Sequence, residues 1–596
     1  MCGIFGIVGQ DASSKTFNGL LDIEYRGYDS WGIASWNIEA GKWKIDKKIG
    51  FLPSTLKLPS SSIAIGHTRW ATHGGVTELN AHPHTDCTGQ LVMVHNGIVE
   101  NYLDLKKTLK NHKIKSQTDT EVIIHLIEEE YKKSKNLTKA VSAVFRKLDG
   151  LNALVVTDGK EIVACKIGSP LVAGVNGKEL LVASDPNALL PHTKKLLFLE
   201  DGQMVVLNDK LNLYKLSLGV NVRHTGSVSD SHLRNFQEIT PKFTEVDWSH
   251  TTSSLNKFPH FMMKEIFEQP AVLRAISQNV NDVKTVSAMV KKAFGTFFIA
   301  CGSASYTALE GVYLFSKIAK KHVNFSVGSE FVYLQDYLTP KSLLVAVSQS
   351  GESIDTLEPT VAAKKKGVNI VSLVNVLGSS LYRISDYPLL LQAGMEKAVC
   401  STKAVTAMLA YMIMLAYSVA GKQKEGQEIV MKSSEEAGVV LKKEKAVAKL
   451  AEKIKNSGHI YVLGRGLSYP VALETTLKIK EVSYIHAEGF AGGELKHGVI
   501  AMIEKGTPVI AFVPSDETKD AMLANIMEVK ARGAYVIGIG PEKSPAFDFF
   551  FEVKDVGASS IIPHVVFAQL LGYYLAVKRG KNPDKPRNLA KSVVVR

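Results

Sequence analysis

Hydrophobic and polar positions along the chain fall into two textures. Over residues 2–222 short β-rich runs ("SIAIGHT", "QLVMVHNG", "LNALVVTDG", "EIVACKIG", "ELLVASD", "QMVVLND") alternate with turn residues. The run "DTEVIIHLIEEEYKK" breaks this pattern with apolar residues at helical spacing. The texture predicts antiparallel sheets with a few attached helices. Residues 223–258 are polar and aperiodic, and read as an interdomain linker. Beyond them an internal repeat begins. One copy runs "TFFIACGSASYTALEG", "FSVGSEF", "LLVAVSQSGESIDTLEPTVAAKKKGVNIVSLV"; the other runs "GHIYVLGRGLSYPVALET", "IHAEGF", "TPVIAFVPSDETKDAMLANIMEVKARGAYVIGIG". Continuous Val/Ile/Leu strands alternating with helices predict two parallel sheets, each covered on both faces, over 259–430 and 431–580. A tail, 581–596, follows.

A chain of 596 residues is too long for one core and suggests roughly three to four domains. The net charge of +13 is dispersed. No run extends to a basic tract, so nucleic acid is not an expected partner and a mild bias toward small anions is. Five scattered cysteines exclude a disulfide framework and fit a reducing cytoplasm. The opening "MCGIFGIVGQ" lacks a signal-peptide pattern. The stretch "AVTAMLAYMIMLAYSVAG" is flanked by lysines and reads as a buried helix rather than a membrane span.

Ligands of parallel α/β sheets bind beyond the carboxyl ends of the strands. There the first repeat carries "SQSGES", with Ser348, Gln349, Ser350 and Ser353 around a glycine, and "CGSAS", with Ser303. Three serines exceed what one helix cap needs, and a helix N-terminus with hydroxyl donors suits a phosphate. The second repeat has "PSDETK" at the matching turn, so one anion site is expected. "GRGLSY" has Tyr469 where a dinucleotide fingerprint needs its third glycine, so no such cofactor is predicted. His67, His73, His82, His84 and Cys87 crowd one stretch at irregular spacing without a Cys-x-x-Cys pair, and the reading is no metal.

In the first domain, Cys2 would become residue one if Met1 were removed, placing a thiol and a free amine on one carbon. A terminal amine titrates near ~7.7–8.0, well placed to take the thiol proton. Arg69 in "GHTRWATHGG" offers a fork for a carboxylate. Asn96 and Gly97 in "VHNGIVEN" can supply a side-chain amide and a backbone N–H, the donors an oxyanion hole uses. Asp119 can hold an ammonium or cap the helix that follows it.

The motifs "MCGIFGIVG", "EYRGYDS", "GHTRWATHG", "NAHPH", "VHNGIVENY" and "TDTEV" resemble the N-terminal-nucleophile (Ntn) glutaminases of the class II amidotransferases. "SQSGES", "STKA", "LKIKEVSYIHAEGFAGGELKHG" and "PRNLAKSV" resemble the tandem sugar-isomerase (SIS) module. The resemblance covers the whole chain. It implies an α/β multidomain protein, an αββα Ntn-hydrolase glutaminase over 2–222 followed by two α/β/α SIS subdomains. It implies an enzyme that moves ammonia from glutamine to fructose 6-phosphate with isomerisation, giving glucosamine 6-phosphate and glutamate at the start of hexosamine synthesis. The alternative is a different sugar phosphate.

The same resemblance implies the residue roles. Cys2 would be the nucleophile, Asn96 and Gly97 the oxyanion donors. Arg69, Thr72, His73 and Asp119 would bind glutamine, with Arg26 supporting the nucleophile loop and Trp70 gating an ammonia passage. Ser303, Ser348, Gln349, Ser350, Ser353 and Val399 would hold the sugar phosphate. Glu481, with Lys478 on the same helix face, would shuttle a proton between C1 and C2. His497 would open the ring from a neighbouring subunit, and Lys591 would form the Schiff base. A cytoplasmic homodimer with a shared sugar site and no cofactor is implied. Ala304 stands where that family places a serine, "MEKAVC" departs from its usual run, and Arg596 ends the chain where an acidic residue is common.

Overall fold

The computed structural model describes residues 2–217, 236–246 and 255–594. They divide into two compact units, one within 1–254 together with 592–596 and one within 255–591.

The N-terminal unit holds two antiparallel sheets. The eight-stranded sheet runs Thr244–Glu245, Lys195–Phe198, Val172–Asn176, Glu179–Ala183, Gly3–Val8, Ser61–Arg69, Ser30–Asn37, Lys42–Ile49. The seven-stranded sheet runs Phe236–Ile239, Leu211–Leu216, Gln203–Leu207, Ile162–Ile167, Asn152–Thr157, Val92–Gly97, His84–Thr85. Strand alternation builds the layers. Ile4, Ile65 and Val182 of the first sheet pack against Val94, Val155 and Ala164 of the second. Phe5, one residue on from Ile4, points the other way and lies under Gly19 of the helix Ala12–Ile23, where a β-carbon would fall 2.4 Å from its ring. On the far face of the second sheet, Leu154 and Val163 meet Ile123 and Ile127 of the helix Asp119–Ser134 and Val141 of Leu137–Phe145. The result is the expected αββα sandwich.

The linker expected over 223–258 is only partly outside the sheets. Phe236–Ile239 pairs with Leu211–Leu216, and Phe236 packs edge-on to Tyr214 at 5.3 Å. Thr244–Glu245 pairs with Lys195–Phe198. A single aromatic anchor and edge pairing are enough to recruit a polar segment whose periodicity is too short to read. Residues 223–235 and 247–254 of the linker lie outside the described residues.

The C-terminal unit carries two five-stranded parallel sheets. The first is ordered Asn324–Val327, Gly295–Ala300, Ser342–Ser348, Asn369–Val374, Tyr387–Leu390. The second is ordered His486–Ala491, His459–Gly464, Pro508–Phe512, Tyr535–Gly540, Phe549–Glu552. Both follow the order 2-1-3-4-5, so the sequence repeat is a structural repeat. In this order the switch point lies between the first and third strands of a sheet, where ligand crevices form. The helices Phe261–Ser277, Lys403–Val419, Gln423–Lys442 and Ile561–Lys578 contribute to one continuous core with both sheets. The helix Gln423–Lys442 runs straight through the 430/431 position read as a subdomain boundary. Gly557–Lys578 is apolar and long enough to cross a membrane, yet 89% of its apolar window is buried in the protein. Lys403–Val419, the apolar stretch noted in the sequence, is likewise a core helix.

Candidate functional site

In the N-terminal unit, Cys2 immediately precedes the first strand. The register of that strand against Ser61–Arg69, with Gly3 opposite Thr68, brings Cys2 to the end of that neighbour. The Trp70 N–H donates to Cys2 Sγ at 3.3 Å, and the thiol reaches the Trp70 carbonyl at 3.5 Å. The Cys2 carbonyl accepts from Asn96 Nδ2 at 3.1 Å and from Arg26 Nε at 3.3 Å. Arg26 is itself pinned by Asp185 at 2.9 Å, and Asp185 also accepts from Tyr25. Burial pushes the Cys2 thiol above its ordinary pKa, opposed by the terminal charge, the Trp70 N–H, Arg69 and Arg26. The thiol therefore needs a base before it can attack.

Asn96 is oriented from behind. His67 Nε2 lies 3.1 Å from Asn96 Oδ1 and 3.0 Å from the His95 carbonyl, two acceptors, so it carries the proton and fixes the amide with Nδ2 toward Cys2. Burial, reinforced by Arg69, lowers the His67 pKa to about 3 and keeps the ring neutral. Gly97 has φ +134°, and a β-carbon there would sit 2.0 Å from the Leu151 carbonyl oxygen, so no other residue fits.

The glutamine-binding candidates are engaged otherwise. Arg69 donates to the carbonyls of His73, Gly74 and Gly75, closing the 70–75 loop upon itself. Asp119 accepts from the Val99 N–H at 2.7 Å and so shapes the loop after Gly97. His73 stands edge-on to Tyr102 at 4.6 Å, and Thr72 is exposed.

In the C-terminal unit, the turns after the first and third strands flank the switch point. Ser348 Oγ accepts from the Gly351 N–H (3.0 Å) and Ser350 Oγ from the Glu352 N–H (3.2 Å). Gly351 has φ +66°, and a β-carbon would meet Ser379 Oγ at 2.1 Å, so the loop admits only glycine. Gln349 O accepts from Asn375 N, holding the loop to the next strand end. Ser353 precedes the helix Ile354–Lys365 without capping it by its side chain, which leaves that hydroxyl for another partner. Ser303 opens the helix Ser303–Leu314 beside Glu474, whose carboxyl burial lifts to about 7.

Glu474 leads into a buried cluster. Lys478 Nζ is fully buried, 3.4 Å from Glu474, 2.7 Å from Glu481 Oε2, 3.2 Å from Cys400 Sγ and 3.3 Å from the Ser401 carbonyl. Cys400 Sγ sits 3.0 Å from Glu481 Oε2. Its neighbour Val399 donates its N–H to the Asp584 carbonyl, leaving only its own carbonyl for a ligand. The tail is held in place. Asp584 caps the N–H groups of Phe261 and Met262, and Arg587 stacks 4.4 Å over Tyr484 while its N–H donates to that hydroxyl. These contacts deliver Lys591, only 4% exposed, to Glu396 and to the Ala398 carbonyl at 2.7 Å. Although burial opposes it, Lys591 and the N–H groups of Thr402 and Ala404 hold the Glu396 carboxyl down to about 2. His497 is different: it lies exposed on the 3-10 turn Gly492–His497, with no hydrogen bond or ion pair to this cluster among the described residues.

Known proteins match this layout. A glutamine amidotransferase domain model matches residues 67–191, and a SIS domain model matches 290–418 and 453–550. A protein of Thermococcus kodakarensis named glutamine–fructose-6-phosphate aminotransferase (isomerizing) is 41% identical over the whole of both chains. A namesake in Thermus thermophilus is 40% identical over the same extent. The chain belongs to the isomerizing glutamine–fructose-6-phosphate aminotransferase family. Among solved structures, the C-terminal domain of the Francisella tularensis glucosamine–fructose-6-phosphate aminotransferase superposes with a TM-score of 0.51 at 32% identity, covering 56% of this chain and all of that one.

Within this family member, several site-forming residues escaped sequence reasoning. Asp185, which locks Arg26, lies outside the motifs and far in sequence from its partner. His67, which orients Asn96, stands inside the "GHTRWATHG" motif, but there it is legible only as one of several crowded histidines. Glu396, the partner of Lys591, lies in "MEKAVC", the very run that departs from the family pattern. Its only signal is an acidic residue, followed by Lys397, in the short loop ahead of a core helix.

Proposed function

We propose that the protein transfers the amide nitrogen of glutamine to fructose 6-phosphate and isomerises the product, releasing glucosamine 6-phosphate and glutamate. With Met1 removed, the Cys2 amine takes the thiol proton and the thiolate attacks the amide carbon. Asn96 Nδ2 and the Gly97 N–H stabilise the oxyanion of the tetrahedral intermediate, and the Cys2 ammonium returns its proton to the departing nitrogen. Ammonia leaves behind a thioester, and water hydrolyses that thioester to glutamate and the free thiol. Arg69 and Asp119, assisted by Thr72 and His73, grip the glutamine α-carboxylate and α-ammonium. The 70–75 loop then exchanges some of its Arg69–carbonyl contacts for the substrate. Trp70, the residue whose backbone brackets the Cys2 thiol, gates the passage that keeps ammonia from becoming ammonium.

At the SIS half the phosphate is held by Ser303, Ser348, Gln349, Ser350 and Ser353, with the Val399 carbonyl touching the sugar. Lys591 condenses with the ketose carbonyl, losing water to form the imine; ammonia then adds to that carbon and expels the Lys591 amine, leaving the sugar imine that is isomerised. Glu481 carries the proton between C1 and C2, and Lys478 holds its carboxylate in place. His497 opens the sugar ring across the interface of a cytoplasmic homodimer, a role its exposure permits.

The observation that carries this reading is the ion pair of buried Lys478 with partly open Glu481, adjoining Ser303 through Glu474, on the same chain as a Cys2 bracketed by Trp70 and Asn96. Incubation with glutamine and fructose 6-phosphate tests it. Amino sugar phosphate and glutamate should form together, each absent when either substrate is withheld, apart from slow glutamine hydrolysis.

A further inference from the structure

Cys87 leaves the histidines that crowd it in sequence and joins a different set in space. His67, His82 and His84 stack on one another in the interior, at 4.2 and 4.9 Å between rings. Cys87, just past the strand His84–Thr85, turns instead toward His112, in the connection before the helix Asp119–Ser134, and toward His125 and Glu128 one turn apart on that helix. Cys87 Sγ lies 3.3 Å from His112 Nδ1 and 3.6 Å from His125 Nδ1. The two Nδ1 atoms are 3.2 Å apart. Glu128 Oε2 is 3.2 Å from His112 Nδ1 and 3.1 Å from His125 Nδ1. All four donor atoms fall within 4.8 Å of one another.

These separations are the edges of a coordination tetrahedron. Zinc bonds of about 2.0–2.1 Å to nitrogen or oxygen and 2.3 Å to sulfur give donor–donor edges of roughly 3.3–3.6 Å. Hydrogen bonds join the same atoms in pairs, the Cys87 thiol to His112 Nδ1 and the His125 ring to Glu128 Oε2, but pairwise bonds do not require all four donors to converge on one point. His112 Nε2 is 2.8 Å from Glu129 Oε1, so its proton sits there and its Nδ1 presents a lone pair to the centre. Behind His125, Glu121 Oε1 stands 3.7 Å from Nε2. A carboxylate behind each imidazole is the arrangement that orients metal-bound histidine. Glu128 Oε2 is acceptor-only, and Lys132 pairs with the other oxygen at 2.7 Å. A cation at the centre would meet the His112 lone pair, the carboxylate, the second imidazole and the sulfur at once.

We propose that Cys87, His112, His125 and Glu128 form a closed, structural zinc site in the glutaminase unit. Thiolate with imidazole favours zinc over the hard cations. On binding, the Cys87 thiol loses its proton to solvent and both imidazoles bind as neutral rings. Two anionic ligands then neutralise the dication, which suits a site whose His125 and Glu128 are buried. Cys87 is exposed and supplies the entry path. Four protein ligands leave no open position for chemistry. The ion would instead clip two segments, at Cys87 and at His112, to the helix whose first residue, Asp119, holds Val99 beside Gly97.

Cobalt(II) tests this in the full-length protein carrying Cys2→Ser, which removes the competing thiol at the glutaminase site. After chelator treatment, titration should give one equivalent of tetrahedral cobalt with a thiolate-to-cobalt charge-transfer band, displaced by zinc. Adding Cys87→Ser, an exposed and nearly isosteric change, should abolish that band while circular dichroism stays the same. Adding His125→Gln should remove the tetrahedral spectrum. A parent protein with no charge-transfer band, or a band that survives Cys87→Ser, overturns the proposal.

Discussion

Lys478 Nζ and Glu481 Oε2 lie 2.7 Å apart, three residues apart on one helix, with the lysine wholly buried and the glutamate partly open. Three further groups crowd the pair: Glu474, Cys400 and the Ser401 carbonyl. Burial opposes the charge on Lys478, but the Cys400 sulfur and the two carboxylates outweigh it and hold the amine well above its ordinary pKa. The lysine is thus a fixed cation that aims the glutamate. Glu481→Gln keeps the shape and removes the base. Amino-sugar synthesis should fall by at least ~10²-fold, while glutaminase activity persists. Full synthesis by Glu481→Gln assigns the proton transfer elsewhere.

Lys591 reaches its place because Asp584 and Arg587 anchor the tail upstream of it. Borohydride added with fructose 6-phosphate should trap a sugar adduct on Lys591, read by peptide mass. Lys591→Arg keeps the charge but cannot form an imine, so it should lose synthesis and keep basal glutamine hydrolysis. Glu396→Gln should leave a trappable Lys591 but reduce the trapping rate, since the amine loses the partner that positions it. An adduct on another lysine rejects the assignment.

Trp70 has its backbone tied to Cys2 by the two contacts at 3.3 and 3.5 Å, so its indole starts from the nucleophile. Trp70→Ala should uncouple the products, with glutamate formed in excess of amino sugar. One-for-one products from that variant remove the gate.

His564 gives a pH dependence with a definite sign. It is buried in the helix Ile561–Lys578 beside Phe512, its Nδ1 has no hydrogen-bond partner, and burial lowers its pKa to about 3. The unfolded chain binds this proton near 6.5 and the folded chain only near 3, so stability is full above 6.5 and declines as pH falls toward 3. The loss from this residue is about 1.4 kcal/mol per pH unit in that window. His564→Leu should flatten the acid side of the melting temperature profile of the C-terminal unit. An unchanged profile shows that His564 does not carry the effect.

The textures of the sequence carried the architecture because burial imposes periodicity: alternation in the glutaminase sheets, continuous apolar strands in the parallel ones. The repeat was visible for the same reason, and the serine-rich turns stand at the switch point because strand order puts them there. What stayed hidden depends on contacts between distant positions. The strand Phe236–Ile239 is too short to show a period and is recruited by packing on Tyr214. Asp185 and Glu396 act through single ion pairs that no local pattern encodes. Cys87, His112 and His125 follow no metal-binding spacing, because a strand and a helix separate Cys87 from His112 and His125 lies on the next helix. Arg69 and Asp119 were readable as polar anchors, but their loop-building bonds to the 73–75 carbonyls and to Val99 were not.

The central claim is that one chain draws nitrogen from the glutamine amide with Cys2 and delivers it to fructose 6-phosphate. Glutamine labelled at its amide nitrogen, supplied with fructose 6-phosphate and an excess of unlabelled ammonium, tests this most directly. The amino group of the glucosamine 6-phosphate should carry the label, with one glutamate per amino sugar, and Cys2→Ala should make neither. Unlabelled amino sugar, or labelled product from Cys2→Ala, would contradict it.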